Sequence, residues 1–496
     1  MAKTVSLLAY ADRLGGSIVG LQDILRAHAS AFNGVHVLPF YQPFDGDDAG
    51  FDPDDHALVD PRLGDWGDVA RLAGGHRLTA DLIVNHTSSR SPQFLGWLAH
   101  GDRSQHAGLY LTYDRVFPEG ATSADITAFY RPRPGLPFTP YTDASGGKHL
   151  VWTTFLPTQV DIDVTHPAGR AYLDGLLDLL AQHGVRTVRL DAIGYAIKQA
   201  GSHSFMTPAT LDYVRELAGR CRARGLEVLV EVHAHFALQL EIAPLVDHIY
   251  DFALPPLLLH AWATGSTSEL ARWLDVRPPT AISVLDTHDG IGVVDACAFG
   301  PDAPGFLSDE QAAAIFARAD EVTGGASSAY SVVPQFAPRP HQINSTFASV
   351  LGGDLESLGA LRALQLLLPG PAHVYYVGLL GGLNDVDRAA RTGVGREINR
   401  HHYSPDELHA LRDAPIVRGT LALVRLVTTH PAVTGEFSWS CGPGRVELGW
   451  TRRQHRIRLV VDLGGGAARF ELAATGDRPL RAASLVDLAN LDGETA

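Results

Sequence analysis

Eight short apolar segments, rich in β-branched and aromatic residues, recur along the chain, and each is followed by a loop and then by a helical pattern. The segments are 5–10, 35–40, 80–85, 185–195, 226–232, 248–255, 281–289 and 373–380. Continuous apolar strands that alternate with helices are typical of a parallel sheet covered on both faces. Eight such units favour a closed (β/α)8 TIM barrel of the α/β class over an open doubly wound sheet.

Two intervals between these segments are too long to be ordinary loops. Both follow the carboxyl end of a predicted strand, the third and the seventh, where a barrel of this kind builds its active site. Beyond about residue 433 the apolar pattern changes to a period of two, which predicts a small antiparallel β domain. The predicted parts are the barrel (1–85, 167–290 and 352–432), a first insertion (86–166), a second insertion (291–351) and a C-terminal β domain (433–496).

Composition excludes several classes of protein. Lysine and arginine number 40 against 55 aspartates and glutamates, so the formal charge is 40 − 55 = −15 and binding to nucleic acid or an anionic membrane is not expected. The three cysteines are far apart and odd in number, which fits the reducing cytoplasm and not a disulfide scaffold. The first 16 residues contain only a short apolar run, which predicts neither a signal peptide nor a membrane span.

Acidic side chains at three predicted strand ends are the most informative chemical feature. Arg189 and Asp191 are two residues apart at the end of the fourth strand and therefore share a face. Glu231 follows the fifth strand, and His288 and Asp289 follow the seventh. Any one of these carboxylates could be a solvated loop residue, but three at one end of one barrel predict a catalytic site.

Retaining glycosyl transfer needs this kind of arrangement, because it uses one ionised carboxylate as nucleophile and one protonated carboxyl as acid, about 5–5.5 Å apart. Asp191 suits the first role, since the Arg189 guanidinium favours its ionised form. Glu231 emerges from an apolar run and suits the second role, since burial raises the pKa of a carboxyl. Asp289 can stabilise the oxocarbenium-like transition state.

Specific motifs carry a resemblance to a known family. Segments 81–86 (DLIVNH), 188–195 (VRLDAIGY), 231–233 (EVH) and 285–292 (LDTHDGIG) resemble the four signature strands of the alpha-amylase family of glycoside hydrolases. More narrowly, the chain resembles the sucrose phosphorylases in the segments YADRLGG (10–16), PFYQPFDGDDAGFDPDDH (39–56), YRPRPGLPFT (130–139), VDID (160–163), YDFALPPLLLHA (250–261) and GREINRHHYS (395–404). These blocks cover the barrel and both insertions.

The resemblance implies an enzyme that transfers glucose from sucrose to the nucleophile and then to inorganic phosphate, giving α-glucose 1-phosphate with retention. It implies Asp191 as nucleophile, Glu231 as general acid/base and Asp289 as transition-state stabiliser. The residues implied to hold glucose are Asp48, Phe51, His86, Phe155, Arg189, His288, Gln342 and Arg396, and those implied to line the acceptor side are Tyr130, Arg133, Tyr195, His233 and His341. Among them, Asp48 and Arg396 are expected to form a charged pair that closes the glucose pocket, and Arg133 to bind phosphate.

The segment before Gln342 departs from the family pattern. Here Pro338, Arg339, Pro340 and His341 replace an acidic-aromatic stretch, so that a histidine stands where the family has a tyrosine that contacts phosphate. Added positive charge would favour a phosphorylated leaving group such as fructose 6-phosphate, whereas the prolines could simply shape a rigid loop. We expect residues 336–342 to move between a placement for the leaving sugar and one that presents positive charge to phosphate.

Several alternatives to a sucrose phosphorylase with transglucosylation side activity stay open. Phosphorylases of sucrose 6'-phosphate, glucosylglycerol or glucosylglycerate differ only in the leaving group, a hydrolase or transglucosidase differs in the acceptor, and an inactive amylase-like binding module would do no chemistry. Amylase relatives often bind calcium through the residue equivalent to Asn85, but no ligand cluster stands out in the first insertion, so neither a metal nor another cofactor is expected. The expected partners are sucrose and phosphate, and the chain could be a monomer or a homodimer.

Overall fold

The computed structural model describes residues 3–131, 135–299, 303–329, 331, 340–476 and 479–493. Arg133 and Arg339, two of the charges that sequence analysis placed at the acceptor site, lie outside these ranges. His341 and Gln342, at the end of the same loop, lie within them.

A closed barrel of eight strands forms the centre of the molecule, which confirms the predicted TIM barrel. Each strand pairs in parallel with its neighbours in chain order, and the eighth returns to pair with the first. The strands are β1 (Val5–Ala9), β2 (Gly34–Val37), β3 (Arg77–Ile83), β4 (Thr187–Asp191), β5 (Glu227–Val230), β6 (His248–Asp251), β7 (Ile282–Ser283) and β8 (Ala372–Tyr375).

Helices cover the barrel and begin at residues that satisfy their first free N–H groups. Ser17, Asp65 and Thr207 each cap a helix through the side chain. Proline fits the first position of a helix because its missing N–H is not needed there, as at Pro208. The helices that accompany barrel strands are Ile18–Ala27, Trp66–Gly75, Pro167–Gln182, Pro208–Arg222, Phe236–Ile242, Leu254–Thr264, Ser268–Val276, Leu355–Leu367 and Pro415–Thr429.

The first insertion packs around its own small apolar cluster, formed by Leu111, Phe117, Phe129 and Trp152. Its strand pairs are His86–Ser88 with Gln159–Asp161 and Phe138–Thr142 with Lys148–Trp152, and its helices are Pro92–His100, Tyr113–Val116 and Ser123–Ala128. The first of these pairs continues directly from β3, so it holds the insertion against the carboxyl end of the barrel.

The second insertion is also built from regular elements in its described part. Strand Ile291–Gly292 pairs with Gln342–Ile343, which brings the two ends of the insertion together beside the barrel opening. Helix Asp309–Val322 starts with a capping box between Ser308 and Gln311. This helix, which precedes the Gly/Ser/Pro-rich stretch 324–342, was not among the elements expected from the sequence. Shorter helices here and nearby are Ala326–Ala329, Phe347–Val350, Tyr376–Leu379, Val386–Thr392 and Pro405–Leu411, and strands Tyr41–Gln42 and Asp55–Val59 pair after β2.

The C-terminal part is an antiparallel sheet, as its period of two predicted. Its strands are β9 (Glu436–Gly442), β10 (Arg445–Arg452), β11 (His455–Gly464), β12 (Ala467–Thr475) and β13 (Leu480–Ala482), followed by helix Leu485–Gly493. The two outer strands and the helix were missed from sequence, because edge strands carry mixed polar residues and the helix is short. Trp450 ties the sheet to the barrel by donating its indole N–H to the Leu367 carbonyl at 2.7 Å.

Among the described residues, no helix combines the length and the apolar character that crossing a lipid bilayer requires.

Candidate active site

The three predicted catalytic carboxylates come together at the carboxyl end of the barrel. Asp191 is the last residue of β4, Glu231 directly follows β5, and Asp289 lies in the turn after β7. One ligand-type atom each from Glu231, His233 and Asp289 lies within 4.8 Å of the other two. Gly290 shapes the turn, since its φ of 99° is left-handed and a Cβ there would lie 2.3 Å from the Ile343 carbonyl oxygen.

Arg189 links the two carboxylates that sequence analysis assigned to nucleophile and acid. Its guanidinium lies 3.1 Å from Asp191 and 3.6 Å from Glu231, and it donates a further hydrogen bond to Asp81 in the barrel interior. Burial alone would raise the pKa of Asp81, but Arg189 and His36 outweigh it and lower that pKa to about 2. The ionised Asp81 therefore balances much of the positive charge of the Arg189 guanidinium.

The pKa of Asp191 is raised well above its ordinary value, contrary to the sequence-based expectation. Burial raises it most, and the nearby carboxylates of Glu231 and Asp81 add to the effect, whereas Arg189 opposes them. The expectation considered only Arg189 and overlooked the burial of the Asp191 carboxyl, which is the largest cause of the shift. Burial and the neighbouring carboxylates therefore disfavour the ionised form of Asp191, and Arg189 favours it.

Asp289 is held as a permanent anion. Burial would raise its pKa, but the guanidinium groups of Arg396 and Arg400 together lower it far below the ordinary value. The closest of these contacts is from Arg396, at 2.9 Å, while His288 lies 3.3 Å and Arg400 3.4 Å away. A fixed negative charge beside the reacting carbon is what an oxocarbenium-stabilising residue needs.

The expected pair between Asp48 and Arg396 is wrong as a direct contact. Within the described part of the chain, no ion pair within 4.0 Å joins them; Arg396 instead contacts Asp289, and Asp48 accepts from the Gln159 amide at 3.3 Å. Asp289 is the more deeply buried of the two carboxylates, so water screens its attraction for the guanidinium less. Asp48 still contributes to the raised pKa of Arg396, which places both around one pocket.

Aromatic rings and neutral histidines form the walls of this pocket. The Phe51 ring stacks on His288 with 5.1 Å between centroids, and the Phe155 ring lies 5.2 Å from His86. Burial lowers the pKa of both histidines, so both rings are neutral at pH 7. His86 contacts the Phe51 carbonyl at 2.9 Å and Gln159 at 3.0 Å.

Tyr10, Gln159 and Arg400 belong to the site but were not predicted from the sequence. Among described side chains, the Tyr10 hydroxyl, the His288 Nδ1 and the Arg189 Nε are buried without a hydrogen-bond partner. Such atoms suit the hydroxyls of a bound sugar, because burying a polar group unpaired is costly. Tyr10 and Arg400 lie inside segments that resemble the family, so the motifs offered a signal, whereas Gln159 precedes one.

The acceptor side is built from stacked rings. The Tyr130 hydroxyl lies 3.1 Å from His341 Nε2, and Tyr130 also stacks on Tyr195 with 6.2 Å between centroids. Burial, with His233 as a second cause, lowers the pKa of His341 to about 4. In this placement the His341 ring is therefore neutral at pH 7. The expected movement of residues 336–342 stays a prediction, because residues 336–339 lie outside the described ranges. Gln342 donates to the Asp289 carbonyl at 2.6 Å.

The residues around Asn85 do not fit a calcium ion. The ammonium of Lys198 lies 2.6 Å from Asn85 Oδ1 and 2.5 Å from Asp161 Oδ2, and it is buried with both. A side-chain cation therefore occupies the position between two oxygens that a metal would need. Glu231, His233 and Asp289 are close enough to share an ion, but Arg396 and Arg189 already balance the charge of that cluster.

Fold and site together define a class: a barrel enzyme of the alpha-amylase type with the three carboxylates of retaining α-glucosyl transfer. No protein-family model matches the chain. The chain is 43% identical over 488 residues to the sucrose phosphorylase of Agrobacterium vitis, covering 96% of this chain and 98% of that protein. It is 46% identical over 444 residues to the sucrose phosphorylase of Bifidobacterium adolescentis, covering 89% and 88%.

A crystal structure of sucrose 6F-phosphate phosphorylase from Thermoanaerobacter thermosaccharolyticum superposes with a TM-score of 0.89 at 31% identity, over 97% of this chain and 99% of that one. The chain therefore belongs to the sucrose phosphorylase family, within the alpha-amylase fold family.

Proposed function

We propose that this enzyme is a sucrose phosphorylase, which moves glucose from sucrose to inorganic phosphate and gives α-glucose 1-phosphate and fructose. The convergence of Asp191, Glu231 and Asp289, in a chain 46% identical over 444 residues to a sucrose phosphorylase, carries the proposal. Two successive displacements at one carbon leave its configuration unchanged.

In the first displacement the Asp191 carboxylate attacks the anomeric carbon of glucose, and the bond to the fructose oxygen breaks. Glu231 gives its proton to that oxygen. Asp289 stabilises the positive charge on the sugar ring, and Arg396, 2.9 Å from it, keeps Asp289 in place. In the second displacement a phosphate oxygen attacks the same carbon, the bond to Asp191 breaks, and Glu231 takes the proton of the phosphate.

The remaining pocket residues suit a single glucosyl unit. Asp48, His86, His288 and Arg396 offer the hydrogen bonds that sugar hydroxyls need, and Phe51 and Phe155 offer apolar faces to the ring. We further propose transglucosylation as a side activity, since a glucosyl-enzyme can pass its sugar to any acceptor hydroxyl that enters.

Neutral His341 favours an uncharged leaving group, because it brings a hydrogen bond and no charge to the acceptor side. One observation supports a second candidate, sucrose 6'-phosphate. Arg133 and Arg339 are close in sequence to Tyr130 and His341, and either guanidinium could hold a phosphorylated fructose.

We propose a cytoplasmic location, because the three cysteines are widely spaced and odd in number. Monomer and homodimer stay open as alternatives for the oligomeric state.

Formation of glucose 1-phosphate from a panel of donors tests the proposal. Purified enzyme receives phosphate with sucrose, sucrose 6'-phosphate, glucosylglycerol or glucosylglycerate, and a coupled dehydrogenase assay follows glucose 1-phosphate. We expect the highest kcat/KM for sucrose and no product from the Asp191→Asn variant. A preference for sucrose 6'-phosphate would support the second candidate, and glucose without glucose 1-phosphate would indicate a hydrolase.

A further inference from the structure

A buried carboxylate in the second insertion lies directly behind the acceptor side of the site. Asp295 is fully buried, in the turn Val294–Ala296. Its Oδ1 accepts from the Ala234 backbone N–H at 3.1 Å and from the Gln239 amide at 2.6 Å, which fixes the carboxylate. Its other oxygen lies 3.3 Å from Nδ1 of His233. Asp295 thus ties the second insertion to the loop that carries Glu231.

His233 is held on two sides. Its ring stacks on Phe252 with 4.0 Å between centroids and an angle of 20°, and Asp295 contacts its Nδ1. Its Nε2 lies 3.6 Å from Glu231 Oε1, too far for a hydrogen bond, and is buried with no partner among the described residues. The one unsatisfied nitrogen of a fixed ring is therefore directed at the general acid/base.

Gly292 allows this close packing. A Cβ at this position would lie 3.0 Å from Asp295 Oδ2 and 3.4 Å from the His233 ring. A side chain would therefore push the carboxylate and the imidazole apart, which provides a second way to disturb the contact.

Charges around His233 favour its protonated form. The titratable groups that face it are Glu231 on its own loop, Asp289 after β7, Asp295, and His341 at the end of the second insertion. Burial opposes ionisation, but Asp295, Glu231 and Asp289 outweigh it and raise the pKa of His233, while His341 is neutral. A protonated ring donates from both nitrogens.

We propose that Asp295 is a positioning residue for phosphate, which holds His233 so that its Nε2–H donates to an oxygen of the phosphate as that phosphate attacks the glucosyl-enzyme. This inference rests on the proposed phosphorylase function. His233 keeps its proton throughout: the phosphate's own proton goes to Glu231 as the new carbon–oxygen bond forms and the bond to Asp191 breaks. The first displacement, which releases fructose, needs this donor less.

Steady-state kinetics of Asp295→Asn test the proposal, because the variant removes the charge and keeps the shape. With α-glucosyl fluoride as donor, the leaving group needs no proton, so phosphate dependence reports the second step. We expect the KM for phosphate to rise about tenfold, as for a lost charge-assisted hydrogen bond. The basic limb of kcat/KM for phosphate should move to lower pH, while hydrolysis of the fluoride without phosphate changes less than about twofold.

Controls separate positioning from general damage. Asp163→Asn removes another buried carboxylate, which contacts Arg115 and not His233, and should leave the pH profile in place. The double variant Asp295→Asn/His233→Gln should raise the KM for phosphate no more than His233→Gln alone, because both substitutions act through the His233 ring. If Asp295→Asn does not fold, Gly292→Ala should raise the phosphate KM in the same way.

Equal losses with and without phosphate, an unmoved basic limb, or additive losses in the double variant would overturn the inference. These results are distinct from failure of the proposed function, in which the unmodified enzyme itself would form no glucose 1-phosphate.

Discussion

Replacing Lys198 by methionine tests whether a side-chain cation stands in for a metal beside the glucose pocket. Lys198 is 3% exposed and Asp161 0%, and their charged groups lie 2.5 Å apart. Removing one partner of a buried ion pair costs about 3–5 kcal/mol because the other charge stays buried. Asp161 keeps hydrogen bonds from Asn85 and Thr154, so we expect the lower end, about 3 kcal/mol.

The loss should be visible in thermal unfolding. Unfolding entropy of about 2.1 cal/mol/K per residue amounts to about 1 kcal/mol/K for 496 residues, so Tm should fall by about 3 °C. Calorimetry at pH 7 measures it, and combining the substitution with Asp161→Asn should recover most of the loss. Calcium or a chelator should leave the Tm of the unmodified enzyme unchanged. A variant as stable as the parent, or a Tm of the parent that rises with calcium, would show that Lys198 does not take the place of a metal.

Three further predictions concern the glucose pocket and a charged cluster at the amino end of the barrel. Arg396→Ala should lower kcat/KM for sucrose by about 10–100-fold, because it removes a charge-assisted contact to Asp289 worth about 1.5–3 kcal/mol. Arg396→Lys should lower kcat/KM less, and initial rates against sucrose concentration measure both variants. Hydrogen bonds from His248 and Arg77 lower the pKa of Glu227 to about 2. The ionised Glu227 therefore stabilises the folded protein above about pH 4.5, and this contribution to the free energy of unfolding is lost as pH falls toward 2. Denaturation curves should therefore give the parent a higher free energy of unfolding than Glu227→Gln at pH 6 and equal values near pH 2. A difference that does not change with pH would contradict this. The enzyme should release no reducing sugar from starch, because the pocket suits one glucosyl unit, and measurable amylase activity would disprove that.

The barrel was predictable because its strands are buried on both faces and therefore read as continuous apolar runs. The same reasoning failed for the outer strand Glu436–Gly442, where exposed and partly buried residues alternate without a strong apolar face. The helix Asp309–Val322 was not predicted either, although it lies ahead of the Gly/Ser/Pro-rich stretch 324–342 in the same insertion.

The positions of the three carboxylates could be predicted because strand ends of one barrel converge. Their pKa values could not be predicted from the sequence. The pKa of Asp191 depends first on its burial, and then on nearby charges such as Asp81, which lies on a neighbouring strand and shares the Arg189 guanidinium. Similarly, the contact of Arg396 with Asp289 instead of Asp48 depends on relative burial, which no local pattern contains. Asp295 was missed because its role comes from contact with His233, 62 residues earlier in the chain.

Trapping the glucosyl-enzyme most directly tests the claim that Asp191 is the nucleophile of a double displacement. The Glu231→Gln variant is mixed with α-glucosyl fluoride, which needs no protonation to react, and the digest is analysed by mass spectrometry. We expect one glucosyl group on the peptide that contains Asp191 and none when Asp191→Asn is added. A glucosyl group on another residue, or no covalent adduct together with inverted β-glucose 1-phosphate, would contradict it.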